Sequence, residues 1–229
     1  LGDYMKKFKV NDNKNEEHEI NYRQFNKKLE LLNQILSLIS DINQASDEKE
    51  VKDCIPALLQ YTGEYTDADR VYIFELMYEK QDYYSNTFEW CREGIIPQID
   101  NLIRIPAGSM PVWHEKFLCG ETIIIHDLEK IRETMPSEYD ILKVQDIHSL
   151  LVLPLFANMQ LSGFIGLDNP ELVNPGVSIS LLSNAGGHLA STLNNLRMFR
   201  MLEEKQKTLE SNLEELQKEK HILEALCVD

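Results

Sequence analysis

The fold is decided by IHSLLVLPLFANMQLSGFIGLDNP, residues 147–170. This stretch predicts two strands, 147–156 and 161–168, joined by a short polar turn. Both faces of the first strand are apolar, with Ile147, Leu151, Leu153 and Leu155 on one face and Leu150, Val152, Pro154 and Phe156 on the other. An antiparallel strand covered on both faces lies in the middle of three layers. We therefore expect helices on one side of a sheet and loops or a small helix on the other, where a small-molecule pocket can form.

Shorter segments complete the predicted sheet and its pocket side. Residues 70–79 and 82–92 predict paired strands around a polar turn, and residues 121–126 predict a short strand. Residues 111–118 predict a helix that begins with Pro, and 129–144 predict a partly helical connection.

The N-terminal part of the chain predicts a linker followed by helices. Residues 1–19 are polar, with no apolar period, and are interpreted as a linker. Residues 20–47 predict a helix with two neighbouring apolar stripes, which is too wide an apolar surface for one domain to cover. The stripes are Tyr22, Phe25, Leu29, Leu32, Leu36 and Ile39, and Leu31, Ile35, Leu38 and Ile42. We expect this helix to dimerise, with Leu29 and Leu36 in the interface. A further helix over 48–62 packs its apolar side on the sheet.

The C-terminal part predicts one helix from Ser178 onward that passes from the core into a coiled coil. Residues 199–229 follow a heptad pattern. Its a positions are Phe199, Gln206, Leu213, Lys220 and Cys227, and its d positions are Leu202, Leu209, Leu216 and Leu223. The polar a positions favour a parallel two-stranded coil, for which we predict an interface of Phe199, Leu202, Leu209, Leu213, Leu216 and Leu223. Because no Gly or Pro ends the pattern, we expect the helix to continue into an output domain.

Composition excludes several classes of partner. The 38 acidic and 23 basic residues give a net charge of −15, which repels nucleic acids and anionic lipids. No apolar run is long enough to span a bilayer, and we expect no membrane insertion. The four cysteines, Cys54, Cys91, Cys119 and Cys227, form no Cys-x-x-Cys pair, so a reduced cytoplasmic location is expected. The sequence specifies no metal site and no cofactor.

Several segments together resemble a GAF domain of a bacterial signalling protein. They are ADRVYIF (68–74), GET (120–122), SLLVLPL (149–155), LSGFIGLDNP (161–170) and LLSNAGGHLA (181–190). The resemblance implies an α+β fold over residues 48–198, with an antiparallel sheet of five or six strands between a helical layer and pocket-forming loops. It also implies dimerisation through the helical layer and a regulatory role.

The resemblance places four candidate ligand-binding residues on the pocket side: Trp90, Trp113, His114 and His126. The competing interpretation is that the tryptophans pack the core and the histidines are ordinary surface or capping groups. The signature of the cyclic-nucleotide-binding members is absent. Neither Cys91 nor Cys119 is followed by His, which disfavours the covalent bilin attachment of other members. The ligand is left open.

The resulting hypothesis is a non-catalytic homodimeric sensor that relays a small-molecule or conformational signal through its coil. The layout resembles chains whose output is a GGDEF diguanylate cyclase, with a histidine kinase as the alternative. Two further possibilities are a dimer scaffold with a closed pocket and a thiol-dependent reductase of free methionine sulfoxide that uses Cys91 and Cys119.

Overall fold

The computed structural model describes residues 2–171 and 175–226, with side chains described for 19, 21–171, 175–199, 201–214 and 216–218. The helices are α1 (Gly2–Gln44), α2 (Glu48–Thr66), α3 (Pro111–Leu118), α4 (Pro136–Lys143) and α5 (Pro175–Leu226). The strands are β1 (Arg70–Met77), β2 (Tyr83–Cys91), β3 (Ile105–Pro106), β4 (Ile123–Ile125), β5 (Leu150–Ala157) and β6 (Gln160–Asp168). Within the described ranges, no helix is long and apolar enough to cross a membrane.

The six strands form one antiparallel sheet in the order β3-β2-β1-β6-β5-β4. Helices α1, α2 and α5 cover one face, and α3, α4 and the connecting segments cover the other. The predicted α+β fold, with a central β5–β6 hairpin between two layers, is therefore confirmed. The apolar residues that join α2 and α5 to the sheet are buried, namely Val51, Ile55, Leu58, Leu59, Leu181, Leu182, Leu189 and Leu193. Leu196, which the sequence also assigns to the core face of the last helix, is only partly buried.

The predicted facing of Ile147 was wrong. Its side chain packs with the pocket-side cluster rather than with Leu151 and Leu153. The strand begins only at Leu150, and the backbone before it turns through Asp146, whose φ is 59°. Because residues 146–149 lie outside the strand, its two-residue alternation does not extend to Ile147.

The long helices α1 and α5 run in the same direction, and α2 runs against them. Lys28 of α1 lies 3.8 Å from Asp67 at the end of α2 and 3.9 Å from Glu171, shortly before α5. At the other end of the layer, Glu48 at the start of α2 lies 3.2 Å from Arg197 of α5. The N-terminal part of α1 and the C-terminal part of α5 therefore extend from opposite ends of the domain.

Residues 2–19 belong to α1 in the structure, whereas the sequence, which has no apolar period there, suggested a linker. Neither Gly nor Pro occurs between Asp3 and Ile55, so no backbone signal stops α1 from extending toward Gly2. The side chains of residues 1–18 lie outside the described part, and the domain boundaries at 19, 47 and 198 stay predictions.

The single C-terminal helix was predicted correctly over the residues described. Its apolar side chains beyond Arg197 are exposed in the isolated chain: Met198, Phe199, Met201, Leu202, Leu209, Leu213 and Leu216. Leu29 and Leu36 of α1 are also exposed. The side chains of Lys220 and Leu223, and the whole of Cys227, lie outside the described residues.

Candidate ligand pocket

An aromatic cluster fills most of the pocket side of the sheet. The ring of Phe164 on β6 is at its centre, with ring centroids between 4.6 and 6.5 Å from those of five neighbours. These neighbours are Tyr72, Phe74, Tyr84, Trp113 and Phe117. Edge-to-face and offset contacts of this kind stabilise a core beyond the area they bury.

A small cavity remains between this cluster, α3, α4 and segment 92–104. Tyr72, Phe74, Trp113 and Phe164 line its aromatic wall, and its polar lining comes from Glu89, Gln145 and Asp168. The space open to the centre of a water-sized sphere is about 30 Å³, which is room for about one or two water molecules. Pockets that hold larger organic ligands measure about 300–1,000 Å³.

A buried ion pair closes one end of the cavity. Arg70, the first residue of β1, donates from Nε to Asp168 Oδ2 over 2.8 Å, and the Tyr72 hydroxyl donates to Asp168 Oδ1 over 2.9 Å. Burial raises the pKa of Asp168 to about 6, against the lowering effects of Arg70 and Tyr72. Burial, with the neighbouring Asp168, also raises the pKa of Tyr72 well above its usual value. Asp168 is therefore held by two protein donors and does not point a free carboxylate at a ligand.

The same arginine and Glu89 fasten segment 92–104 over the cavity. Arg70 Nη1 donates to the carbonyl of Ile96 over 3.2 Å. Glu89 Oε2 accepts the backbone N–H groups of Gln98 and Ile99 over 2.8 and 3.0 Å. The polar side chains of Arg70 and Glu89 thus chiefly hold segment 92–104 in place over the cavity.

One buried carboxylate and one buried indole lie on the α3 side of the site. Glu138 of α4 is buried and accepts the backbone N–H groups of Val112 and Trp113 through Oε1, which caps α3. Within the described part, Glu138 Oε2 and Trp113 Nε1 have no hydrogen-bond partner. The Trp113 side chain thus lines the cavity, and its buried indole N–H is a donor without a partner among the described residues.

A larger and more polar cleft lies next to the cavity, on the outer side of Arg70. It measures about 220 Å³, and Gln145 borders both spaces. Arg70 Nη2 donates to the Gln145 carbonyl over 2.8 Å. This contact and the Arg70–Asp168 pair separate the apolar cavity from the cleft.

The structure brings only one of the four predicted ligand-binding residues to the cavity. Trp113 is buried and lines it. His114 is half-buried and lies outside the cavity lining, where its Nδ1 is 2.8 Å from the Tyr84 hydroxyl. His126 follows β4 and is exposed. Any ligand role of these residues stays a prediction.

Trp90 lies on the opposite face of the sheet, so its predicted place in the pocket was wrong. It packs against the helical layer, and a Cβ added to Gly63 of α2 would fall 2.0 Å from its ring. A β-bulge explains the error. The β1–β2 pairing passes from Ile73–Phe88 to Phe74–Asn86, which leaves Thr87 as an extra residue and reverses the facing of every later side chain in β2.

Cys91 and Cys119 lie in different environments, and the surroundings of Cys91 do not activate its thiol. Burial raises the pKa of the Cys91 thiol to about 12, with Glu89 adding to the rise. Cys119 is an exposed residue at the end of α3. A thiol with so high a pKa is almost entirely protonated at neutral pH and is a poor nucleophile.

The Arg70–Asp168 pair was missed as a site feature from the sequence. Both residues lie in segments that carry the GAF resemblance, but neither received a role. The available signal was a charged residue at the first position of β1 and another at the last position of β6, in strands that are largely apolar. Their pairing depends on the β1–β6 register, in which the two residues are directly opposite, and an isolated sequence does not contain that register.

The antiparallel sheet, its helical layer and its covered cavity define an α+β domain with an enclosed space on one side of the sheet. The chain belongs to the GAF domain family, whose sequence model matches residues 50–179. A methanogenesis regulatory histidine kinase, FilI of Methanothrix harundinacea (strain 6Ac), is 31% identical over 61% of this chain. The chain spans 16% of the length of that relative.

Solved structures show the same fold at low identity. The phycoerythrobilin-bound GAF domain of a cyanobacterial phytochrome is 16% identical, with a TM-score of 0.56 over 76% of this chain and 97% of its own. The blue-light absorbing form of the PixJ GAF domain of Thermosynechococcus elongatus is 19% identical, with a TM-score of 0.53 over 73% of this chain and 98% of its own.

Proposed function

We propose that this chain is a dimeric sensory module that passes a signal from its GAF domain through a parallel coiled coil to an output domain. The observation that carries the proposal is the composition of α5. The helix buries Leu182, Leu189 and Leu193 against the sheet and then, without a break, exposes leucines at heptad spacing. An exposed apolar stripe of that length is unfavourable in water and is covered when two copies associate.

The direction of the helices supports a relay. Because α1 and α5 run in parallel and extend from opposite ends of the domain, two copies related by an axis along the helices can pair at both ends. The α1 residues Leu29 and Leu36 would serve one end, and the α5 seam from Phe199 to Leu223 the other. A change in the sheet would then alter the spacing or rotation of the two exit helices.

The output is proposed to be an enzyme that works as a dimer. A GGDEF diguanylate cyclase was the first expectation from the sequence, and a histidine kinase was the alternative. The similarity to the histidine kinase FilI favours the kinase. Membership of the GAF family gives this chain itself a regulatory role, and the high pKa of the Cys91 thiol argues against a thiol-dependent reductase.

The signal is proposed to be either a molecule of a few heavy atoms or a purely conformational change. One structure with the same fold holds bound biliverdin, and the cyanobacterial phytochrome GAF domain holds phycoerythrobilin. In this chain, Phe164 and its neighbours leave a cavity of only about 30 Å³, so a tetrapyrrole would require the aromatic cluster to repack. Trp113 Nε1, a buried donor without a partner among the described residues, is proposed to meet a small acceptor after its neighbours repack.

Oligomeric state and helix direction test the proposal. The chain should sediment as a dimer at micromolar concentration, and Leu209→Glu should shift it toward monomer because a charge would lie at a d position. Ser211→Glu, on the outer side of the same heptad, is the matched control and should leave the dimer intact.

Helix direction is tested separately by cross-linking. In a background with both Cys119→Ser and Cys227→Ser, Leu209→Cys should form a disulfide between copies on mild oxidation, because identical d positions face each other in a parallel coil. A monomeric chain, or a dimer that does not cross-link at position 209, would contradict the proposal.

A further inference from the structure

Arg197 occupies the point where α5 leaves the domain. Leu193, one turn earlier, is buried in the core, and the described residues from Met198 onward are exposed. The Arg197 guanidinium donates from Nη2 to Glu75 Oε1 over 2.8 Å and from Nε to Glu48 Oε1 over 3.2 Å. One side chain of the exit helix is thus bound to the sheet and to the start of α2.

The two carboxylates are more shielded than the arginine that joins them. The exposed fraction is 16% for the Glu75 side chain and 10% for Glu48, against 43% for Arg197. Lys52 Nζ also lies 3.6 Å from Glu48, and the Arg197 guanidinium joins Glu48 to Glu75, which lies in a separate element. If Arg197 moves away, two shielded negative charges lose their common partner, which opposes the movement.

Glu75 is also adjacent in sequence to a wall of the ligand pocket. It follows Phe74, whose ring stacks on Phe164 with centroids 4.6 Å apart and lines the cavity. Successive residues of a strand point to opposite faces, so β1 connects the pocket side at Phe74 to the helix side at Glu75 within one residue.

The sheet is irregular around Phe74 and Glu75, which gives β1 freedom to shift. The β1–β2 register changes between Ile73 and Phe74, and the β5–β6 register changes at Leu155. Gly163 is paired with Glu75 and has a φ of 152°, and a Cβ there would lie 1.9 Å from the Phe74 carbonyl oxygen. Bulges and a close glycine at one level bend a sheet locally.

A void lies beneath the exit helix at the same place. It measures about 60 Å³ and is lined by Phe74, Glu75, Leu193 and Arg197 among others. Such a void lets side chains repack without opening the core. The interface between α5 and the sheet can therefore adopt two discrete arrangements.

We propose that Arg197 is the positioning residue that couples the Phe74 wall of the pocket to the orientation in which α5 leaves the domain. The inference rests on the proposed relay function and names the contact through which it acts. A displacement of Phe74 moves Glu75, the guanidinium follows the carboxylate, and the first turn of the coil rotates or tilts.

Amide hydrogen exchange in the 229-residue chain tests this coupling. The perturbation is Phe74→Leu, which widens the cavity, and the readout is the exchange rate of backbone amides in 194–205. We expect Phe74→Leu to raise that rate about ten-fold with Arg197 present, as a change of about 1.4 kcal/mol produces. With Arg197→Met, Phe74→Leu should change it less than about two-fold, a limit of about 0.4 kcal/mol.

Arg104→Met is the matched control. Arg104 also binds a carboxylate, Glu79, over 3.0 Å, but at the β2–β3 edge of the sheet, and its loss should leave the response to Phe74→Leu unchanged. If Phe74→Leu unfolds the domain, Trp113→Phe gives a milder change in the same wall, and Arg197→Lys tests the guanidinium with the charge kept.

The outcomes separate this inference from the relay itself. An equal response with and without Arg197 overturns the role of Arg197 while the parallel dimer, and with it the proposed function, can stand. If Phe74→Leu leaves amide exchange at 194–205 unchanged in the chain that retains Arg197, both the role of Arg197 and the relay are overturned. A monomeric chain overturns the relay directly.

Discussion

The Arg70–Asp168 pair shows how a single charged contact shapes the site. Its two residues are opposite each other on β1 and β6, and both side chains are almost completely buried. Burial costs each charge its hydration, and the mutual contact and hydrogen bonds offset that cost. The pair fastens segment 92–104 and keeps the cavity apart from the adjoining polar cleft.

Arg70→Met should destabilise the chain, and the loss should grow with pH. Without the guanidinium, the pKa of Asp168 rises further above its present value of about 6. A carboxyl whose pKa is raised in the folded state stabilises that state below its unfolded pKa and loses this contribution as pH rises through the folded pKa. The loss in unfolding free energy should be about 3–5 kcal/mol at pH 8 and smaller at pH 5.

Urea unfolding at pH 5, 6.5 and 8 measures this effect. Arg104→Met, which removes an exposed arginine, should change the unfolding free energy little at any of these pH values. A loss from Arg70→Met that stays constant with pH would show that Asp168 does not respond to the missing charge.

Trp90 and Trp113 show what a sequence can and cannot supply at this scale. Trp113 lies two residues after the Pro that begins α3, and the GAF resemblance placed it correctly on the pocket side. The place of Trp90 could not be predicted, because one extra residue, Thr87, reverses the facing of the strand. The bulge depends on the pairing of β2 with β1 and leaves no mark in the spacing of apolar residues.

At the scale of the elements, strands and short helices were predictable because turn residues and alternation mark them. The ends of β1, β2 and β6 lie within two residues of the predicted ends. The N-terminal part of α1 was not predictable in this way, since residues 2–19 have no apolar period. The parallel course of α1 and α5 was not predictable either. It is seen only from tertiary contacts, such as those that Lys28 makes with Asp67 and Glu171.

Alanine substitution at two helical glycines should change the unfolding free energy in opposite directions. Gly63 of α2 lies under the Trp90 ring, with no room for a Cβ, so Gly63→Ala should lower the unfolding free energy by about 1–3 kcal/mol through overpacking. A Cβ at Gly187 of α5 meets nothing within 4 Å, so Gly187→Ala should raise it by about 0.5–1 kcal/mol through helix propensity.

Chemical denaturation of the two variants under identical conditions provides the comparison. The two glycines serve as each other's control, because the substitution and the type of element are the same. Destabilisation by Gly187→Ala would mean that another surface covers this side of α5, and a neutral Gly63→Ala would mean that α2 is not held against Trp90.

At the scale of the whole molecule, the coil should transmit rotation as well as proximity. In a heptad coil, removal of seven residues restores the facing of all that follows, whereas removal of four turns the downstream helix by roughly 40° past a full turn. In the protein that carries the output domain, deletion of residues 205–211 should preserve signal control. Deletion of 205–208 moves Leu209 and Leu216 from d to g and should lock the output on or off. Output activity measured in both deletion variants decides the matter, and an identical response to the two deletions would show that α5 is a passive tether between the domains.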